Sequence, residues 1–253
     1  MTEPEICWEP EIPSTNSALK ERMAALPHGY TLAAVSQTAG RGQRGNRWEA
    51  APGRNLTFSM LLRPDGIRPA EQFYISEAVA LGVADVLAPL LPAGQEIKVK
   101  WPNDIYVDDR KICGILIENT LAGVDRIAAS VAGIGININQ EEFHSDAPNP
   151  VSLRQITGRN YPLEPLLRDV ACRILRNLEE AEAPERRAGL HNRYVGSLWR
   201  GTGEHPFALH DGTLFRASIA AVAPDGQLTL RHTDGALTRH YFKEVSFILD
   251  QKG

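Results

Sequence analysis

The apolar positions of this 253-residue chain change period several times, and each change marks an element. After a proline-broken start, Ser14-Thr15-Asn16 stands in capping position before Leu19, Met23 and Leu26. These recur at helical spacing until Pro27 and Gly29, which predicts a capped helix of about three turns. Residues 30–37 read as a strand. Residues 55–62 read as another, with Leu56, Phe58, Met60 and Leu62 alternating against Thr57 and Ser59. Pro69 opens a longer helical pattern with Phe73, Ala80, Val83 and Leu87 on one face, and Pro92 ends it. Three strand-like runs follow. Ile97, Val99 and Trp101 alternate with Lys98 and Lys100; a hairpin through Asp108-Asp109-Arg110 leads into 111–118; and an apolar run over 127–138 is broken by Gly133 and Gly135. Helices are expected at about 162–182 and 186–199.

From about residue 205 the texture changes to short strands punctuated by Asp211-Gly212, Pro224-Asp225-Gly226 and Asp234-Gly235. That spacing predicts a small antiparallel barrel or meander. A domain boundary is therefore expected near residue 202, giving domains over 1–202 and 203–253. The larger part mixes strands and helices without strict βαβ alternation, so the predicted class is α+β with a mixed sheet.

Composition narrows the picture. The chain is 43% apolar and 23% charged, with a net charge of −4, which excludes a surface given over wholly to nucleic acid. Cys7, Cys113 and Cys172 are scattered without a CxxC pair, so neither a disulfide framework nor a zinc site is suggested and a reducing compartment fits best. The acidic N-terminus lacks the basic and apolar regions of a signal peptide, and no stretch reads as a membrane span. The expectation is a cytoplasmic protein with no membrane partner.

Against that acidic background, Gly40-Arg41-Gly42-Gln43-Arg44-Gly45-Asn46-Arg47-Trp48 concentrates glycine, arginine and a tryptophan in one loop between two strands. Glycine permits close backbone approach, arginine offers a planar fork of donors for phosphate or carboxylate, and tryptophan offers a face for a flat ring. A nucleotide has all those parts, although a solvated basic turn has the same composition. The second informative stretch, Lys98 to Glu118, brings Asn103, Asp104 and Lys111 toward one hairpin end. On alternation alone Lys98 and Lys100 read as solvated strand residues and Trp101 as core.

Five ordered motifs carry a resemblance. Ser14-Thr15-Asn16, Gln37 to Trp48, Lys100-Trp-Pro-Asn-Asp104, Lys111-Ile-Cys-Gly-Ile-Leu-Ile-Glu118 and Gly133-Ile-Gly-Ile-Asn137 resemble, in sequence order, those of biotin protein ligases. The resemblance implies a mixed-sheet catalytic domain of the biotin/lipoate ligase type, related to class II aminoacyl-tRNA synthetases, with a small C-terminal Src-homology-3-like barrel. It also implies an enzyme that joins biotin to ATP as biotinyl-5′-AMP, with Mg²⁺ commonly sharing the phosphate charge. Biotin then passes to a lysine of a biotin carboxyl carrier domain.

Carried over residue by residue, the resemblance makes Lys111 and Arg41 the cations that neutralise carboxylate and phosphate. Asp104 becomes the carboxylate that helps the acceptor lysine lose its proton. It puts Ser14, Thr15, Asn16 and Gln37 at biotin's ureido end, where helix capping is an equally good role for the first three, and adds Gly42, Gln43, Gly114 and Ile115 to the biotin channel. Trp48 and Asn137 fall on the adenine side, with Arg44, Lys100 and Asn103 on the ATP side. One position departs: Gln43 stands where the family loop usually carries a second arginine, which puts retention of the adenylate in doubt.

Because the chain starts directly at the motif-bearing region, the DNA-binding function of some relatives is expected to be absent. The apolar strand 112–117 reads either as core or as a dimer edge, which keeps a homodimer among the expected partners. Two rival readings remain. A lipoate ligase or octanoyl transferase would need only an apolar channel, whereas the polar set at 14–16 and 37 suits a ureido ring. An RNA-binding module would rest on the basic loop and Trp48 alone.

Overall fold

The computed structural model describes residues 3–43, 47–144 and 149–248. The central strand, β3 (Leu56–Leu62), is buried along its whole length, as its apolar alternation requires of a strand covered on both faces. Leu56, Phe58, Met60 and Leu62 enter the main core, while Leu61 joins a smaller cluster on the opposite face with Leu19 and Leu32. Around β3 the first sheet runs in the order β1 (Ile6–Ile12), β2 (Thr31–Gln37), β3, β7 (Arg126–Ile136), β6 (Arg110–Ala122), β5 (Asp104–Val107) and β4 (Ile97–Lys100). Only the β1–β2 pair is parallel, so the sheet is mixed. The 112–117 segment lies inside this sheet, between β5 and β7, with Ile112 and Cys113 fully buried. It is core, not an edge.

One face carries α2 (Phe73–Leu87), α4 (Leu163–Glu182) and α5 (Pro184–Gly196). The segment Pro69–Leu90 is long and apolar enough, by length and composition alone, to cross a membrane. In the fold it is mostly buried, with α2 packed on α4 as a core helix. On the other face lies α1 (Thr15–Arg22), whose last turn tightens into a 3₁₀ segment over Met23–Ala25. The sequence reading missed two elements. Strand β1 hides behind Glu9, Pro10 and Glu11, which an edge position tolerates because outward groups there meet solvent. Helix α3 (Leu153–Thr157) is short but marked by a capping box, in which Ser152 and Gln155 exchange side-chain bonds at 3.1 and 3.0 Å.

The C-terminal segment forms a five-stranded antiparallel sheet ordered β11 (Leu237–His240), β10 (Leu228–His232), β9 (Leu214–Val222), β8 (His205–Leu209) and β12 (Val245–Phe247). Its turns share one device. Asp211, Asp225 and Asp234 each accept from the backbone amide two residues on, at 2.9, 3.0 and 2.9 Å, ahead of a glycine at positive φ. This sheet is stitched to the large unit: Trp101 Nε1 donates to Gly226 O at 3.0 Å, and Phe73 N to Pro224 O at 3.0 Å.

Candidate active site

A cleft of about 810 Å³ opens on the sheet face opposite α2 and α4. Its floor is a stripe of small residues set by strand register. Gly135 pairs with Gly114 and Gly133 with Leu116 along it, and the buried Ser59 and Thr57 of β3 stand beside Gly133 and Gly135 under the cleft's edge. The floor has to be bare because side chains from other elements lie directly on it. A Cβ on Gly133 would come within 2.7 Å of Asn16 Cγ, and one on Gly135 within 2.5 Å of Trp48 Nε1. The glycines at 133 and 135 thus exist to admit Asn16 and the Trp48 indole.

All the described residues expected at the site line this cleft. Arg44 lies outside the described residues. At one end, Ser14 caps α1, accepting from Ser17 N at 3.5 Å, so it is the side chain and not only the backbone that caps. Gln37 Oε1 accepts from Thr15 N at 2.8 Å, and Ser59 Oγ sits 2.5 Å from Asn16 Oδ1 and 2.7 Å from Thr15 Oγ1. Asn16 Nδ2 donates to Glu118 Oε2 at 3.1 Å. The result is a preformed set of neutral donors and acceptors. Glu118 completes it, bonded to Lys20 at 2.9 Å and 3.6 Å from the Arg41 guanidinium. Burial pushes the Glu118 carboxyl up, but the bonds from Lys20 and Asn16 and the charge of Arg41 outweigh it and hold it below the ordinary range.

The glycine-arginine loop is pinched at its base. Arg41 bridges to Arg47, Trp48 N donates to Gly40 O at 3.1 Å, and a Cβ on Gly40 would approach Trp48 O to 2.8 Å. Gly42 and Gln43 follow on the cleft wall, half-buried. Farther along the wall, Glu49 takes His144 N at 2.9 Å and Gln140 Nε2 at 3.2 Å, which fastens the loop's exit to the segment carrying Phe143 and His144.

At the centre stands an ion pair, Lys111 Nζ to Asp104 Oδ1 at 2.7 Å, with the two side chains 26% and 19% exposed. Beside it Lys100, opposite Asp104 in the β4–β5 register, donates to Tyr106 Oη at 3.0 Å. Its ammonium stands 4.8 Å from the Tyr106 ring centroid and 5.7 Å from that of Trp199. Lys100 is therefore no solvated strand residue: burial lowers its pKa and is the main cause of that shift. Lys98 does reach outward, to Glu96 at 3.3 Å. Asn103 turns out to be a fastener, donating to Ile115 O at 2.6 Å while Ile115 N donates back to Asn103 O at 2.9 Å. Both main-chain groups of Ile115 are thereby spoken for, and its side chain is buried.

Among the described residues lining the cleft, three buried polar atoms lack a partner: the donor Trp48 Nε1 and the acceptors Asn137 Oδ1 and Asn149 Oδ1. Asn137 itself is 3% exposed and anchored by Nδ2 to Val151 O at 3.1 Å. Leaving such a group unpaired costs about 1–3 kcal/mol, so these atoms point to a ligand that both accepts and donates. Among the described residues, no three His, Cys, Asp or Glu side chains cluster to hold a metal ion.

Residues 8–137, just over half of the chain, match the model of the Biotin/lipoate A/B protein ligase family. The chain belongs to this family. Among ligase relatives, the bifunctional ligase/repressor BirA of Salmonella typhimurium is 39% identical over 140 residues, which cover 55% of this chain and 42% of that protein. The chain thus spans less than half the length of such bifunctional relatives. The biotin–[acetyl-CoA-carboxylase] ligase of Mycobacterium tuberculosis is 35% identical over 185 residues, 69% of this chain and 66% of that one. The biotin protein ligase of Aquifex aeolicus, solved in complex with biotin and ATP, superposes with a TM-score of 0.77 at 25% identity, covering 96% of this chain and 97% of that one. The biotin/lipoate ligase fold accounts for the mixed sheet, its helices and the C-terminal antiparallel sheet together.

Several residues in and around the cleft escaped the sequence reading of this chain. Tyr106 follows Asp104 at strand period, so its facing was available from alternation. Glu118 ended a motif without a role. Phe242 and Phe247 line the cleft from the far end of the chain and Trp199 packs behind its Tyr106, and nothing local in the sequence signals that.

Proposed function

We propose that this member of the family is an ATP-dependent biotin protein ligase. In the first half-step biotin's carboxylate attacks the α-phosphorus of ATP, forming the acyl-phosphate bond while pyrophosphate leaves. In the second, a lysine amine of a biotin carboxyl carrier domain attacks the acyl carbon, the amide forms and AMP leaves. The observation that carries this reading is the order of chemistry along one cleft. Neutral donors and acceptors at Ser14, Thr15, Asn16 and Gln37 stand at the Gly133 end, the Trp48 indole and the Lys111 ammonium meet over Gly135 and Gly114 two residues farther along β7, and Asn137 with its unpaired Oδ1 lies two residues beyond. A ureido ring, a carboxylate meeting a phosphate, and an adenine need these in that order. The polar first end favours biotin over lipoate, as do the names of the relatives.

Lys111 is assigned to the α-phosphate and carboxylate oxygens, with Arg41 assisting from the biotin end and Lys100 and Asn137 serving the nucleotide. Electrostatic stabilisation of the developing phosphorane charge is the largest help a protein can offer here. When Lys111 turns to phosphate, Asp104 loses its partner and becomes the carboxylate that orients the incoming lysine and receives its proton. Magnesium commonly binds through one or two carboxylates plus substrate phosphates. Glu49 is held by Gln140 and Asp104 by Lys111 until phosphate draws that lysine away, so Mg²⁺ would be carried in by the phosphates of ATP, with Asp104 the cleft carboxylate placed beside them. Free cysteines at 7, 113 and 172 suit a reducing compartment, in keeping with a cytoplasmic enzyme. The division into domains over 1–202 and 203–253 is part of the same reading.

The test is transfer of labelled biotin to a carrier domain, with ATP present and then omitted. Lys111→Ala should abolish biotin-dependent exchange of pyrophosphate into ATP. Near-normal exchange by that variant would remove Lys111 from the role given it.

A further inference from the structure

The last residues before the C-terminal sheet run back onto β4. Val99 N donates to Ser197 O at 2.9 Å, Trp199 N donates to Val99 O at 2.8 Å, and Val99 and Leu198 form a parallel bridge. This extra stitch continues the sheet edge by one short piece of chain. It also delivers the Trp199 indole to the back of the cleft, where it is 4% exposed. There the ring packs on Tyr106 with centroids 5.3 Å apart, and its Nε1 donates to Asp109 Oδ1 at 3.2 Å.

The far side of the same ring belongs to the small sheet. Phe247 of β12 meets it edge-on at 5.4 Å and leans in turn on Phe207 of β8 at 4.8 Å. The Arg200 guanidinium lies 4.3 Å over the indole, and its Nη1 donates to Ile248 O at 2.7 Å. Arg200 adopts φ of 55°, a conformation that non-glycine residues rarely hold without a reason. Trp199 is thus clamped between the two sheets, and the Lys100 ammonium rests in the corner made by the Tyr106 and Trp199 rings.

Lys100 also has no ion-pair partner within bonding distance among the described residues; Tyr106 Oη and the rings hold it, with Asp104, Lys111 and Arg200 acting on it only as charges nearby. An aromatic corner fixes a flexible ammonium without neutralising it, and leaves the full charge for an anion. We infer that Trp199 is a positioning residue for the nucleotide end of the reaction, holding Lys100 toward ATP, and that the C-terminal sheet acts on the first half-step through Phe247 and this ring. This rests on the ligase reading given above.

The experiment measures biotin-dependent pyrophosphate exchange by the full chain as a function of ATP, beside calorimetric titration with biotin alone. Trp199→Leu keeps an apolar wall but removes the ring's attraction for the cation. The KM for ATP should rise roughly three- to thirtyfold, while biotin affinity in the absence of ATP stays at the wild-type value. Trp199→Phe should restore most of the loss, and Phe247→Leu should produce a smaller rise of the same kind. In wild type, exchange should diminish as pH rises through the titration of Lys100, and Trp199→Leu should move that limb. An unchanged KM for ATP and an unmoved pH limb in a folded Trp199→Leu protein would overturn the assignment. So would a fall in biotin affinity equal to the fall in ATP use, which marks general damage. If Trp199→Leu fails to fold, Trp199→Phe and Phe247→Leu decide the same point. Wild type without biotin-dependent exchange would instead overturn the ligase reading, and the two failures are told apart by that control.

Discussion

Gly133→Ala is the sharpest test of how the cleft is built. The new Cβ would stand 2.7 Å from Asn16 Cγ and 2.9 Å from Nδ2, against an ordinary carbon contact of about 3.5–4.0 Å. Strand β7 cannot yield, because Gly133 is paired on both sides, with Ser59 and with Leu116. Asn16 must therefore retreat, and it is held at both ends of its amide by Ser59, Glu118 and the Leu116 carbonyl. Two neutral hydrogen bonds at about 0.5–1.5 kcal/mol each and one to a carboxylate at about 1.5–3 kcal/mol are at stake. Alanine in a strand recovers about 0.5–1 kcal/mol of backbone entropy relative to glycine. The net loss should be about 3 kcal/mol, which for a chain of this size lowers Tm by about 6–12 °C. Differential scanning calorimetry measures it directly. Biotin affinity should fall in parallel, since Asn16 lines the polar end of the cleft. A variant that keeps the wild-type Tm and biotin affinity would show that the bare floor at Gly133 has nothing to do with Asn16.

Other outcomes follow from other parts of the structure. Gln43→Arg should slow escape of biotinyl-AMP from the cleft; equal release rates for both proteins in a chase experiment would show that this position does not govern retention. Glu77 of α2, fully buried, pairs with the half-buried His191 of α5, His191 Nδ1 lying 2.8 Å from Glu77 Oε1. The hydrogen bond to Glu77 raises the His191 pKa, and burial raises that of Glu77. A raised histidine contributes stability that is complete below the unfolded value of about 6.5 and is lost as pH climbs through the folded one. Tm should therefore fall as pH rises above neutrality, and Glu77→Gln should flatten that slope; a wild-type Tm independent of pH in this range would refute it.

Much of this architecture was legible because one period served one environment. In β3, alternation of large apolar residues with Thr57 and Ser59 matched a strand with core on one side and small residues under a cleft on the other. The Asp-Gly turns of the C-terminal sheet were legible for a local reason, since an aspartate bonding two residues ahead and a glycine at positive φ need no distant partner. The failures share the opposite cause. Glu9, Pro10 and Glu11 describe an exposed edge, and only the parallel pairing with β2 makes that edge a strand. Helix α5 was expected to run to residue 199 because Leu198 and Trp199 keep the apolar period. They are apolar for another purpose, joining β4 and the cleft, and the helix stops at Gly196.

Lys100 shows the same limit inside the site. Strand period correctly sets it on the face opposite Val99, and solvation of that face is the ordinary inference for a lysine. What covers that face comes from Tyr106, six residues on, and from Trp199, almost a hundred residues on. Periodicity reports which way a side chain points, while the medium it points into is set by tertiary contacts. Polar motif residues are therefore the ones whose environments a strand pattern misjudges. Asn137 shows the other half of the point: alternation sets it away from Ile136 and Ile138, and tertiary contacts leave that side chain 3% exposed with its Oδ1 unpaired. In both, a polar residue buried on the face its strand turns away from the core marks where the chain prepares a site for something other than water.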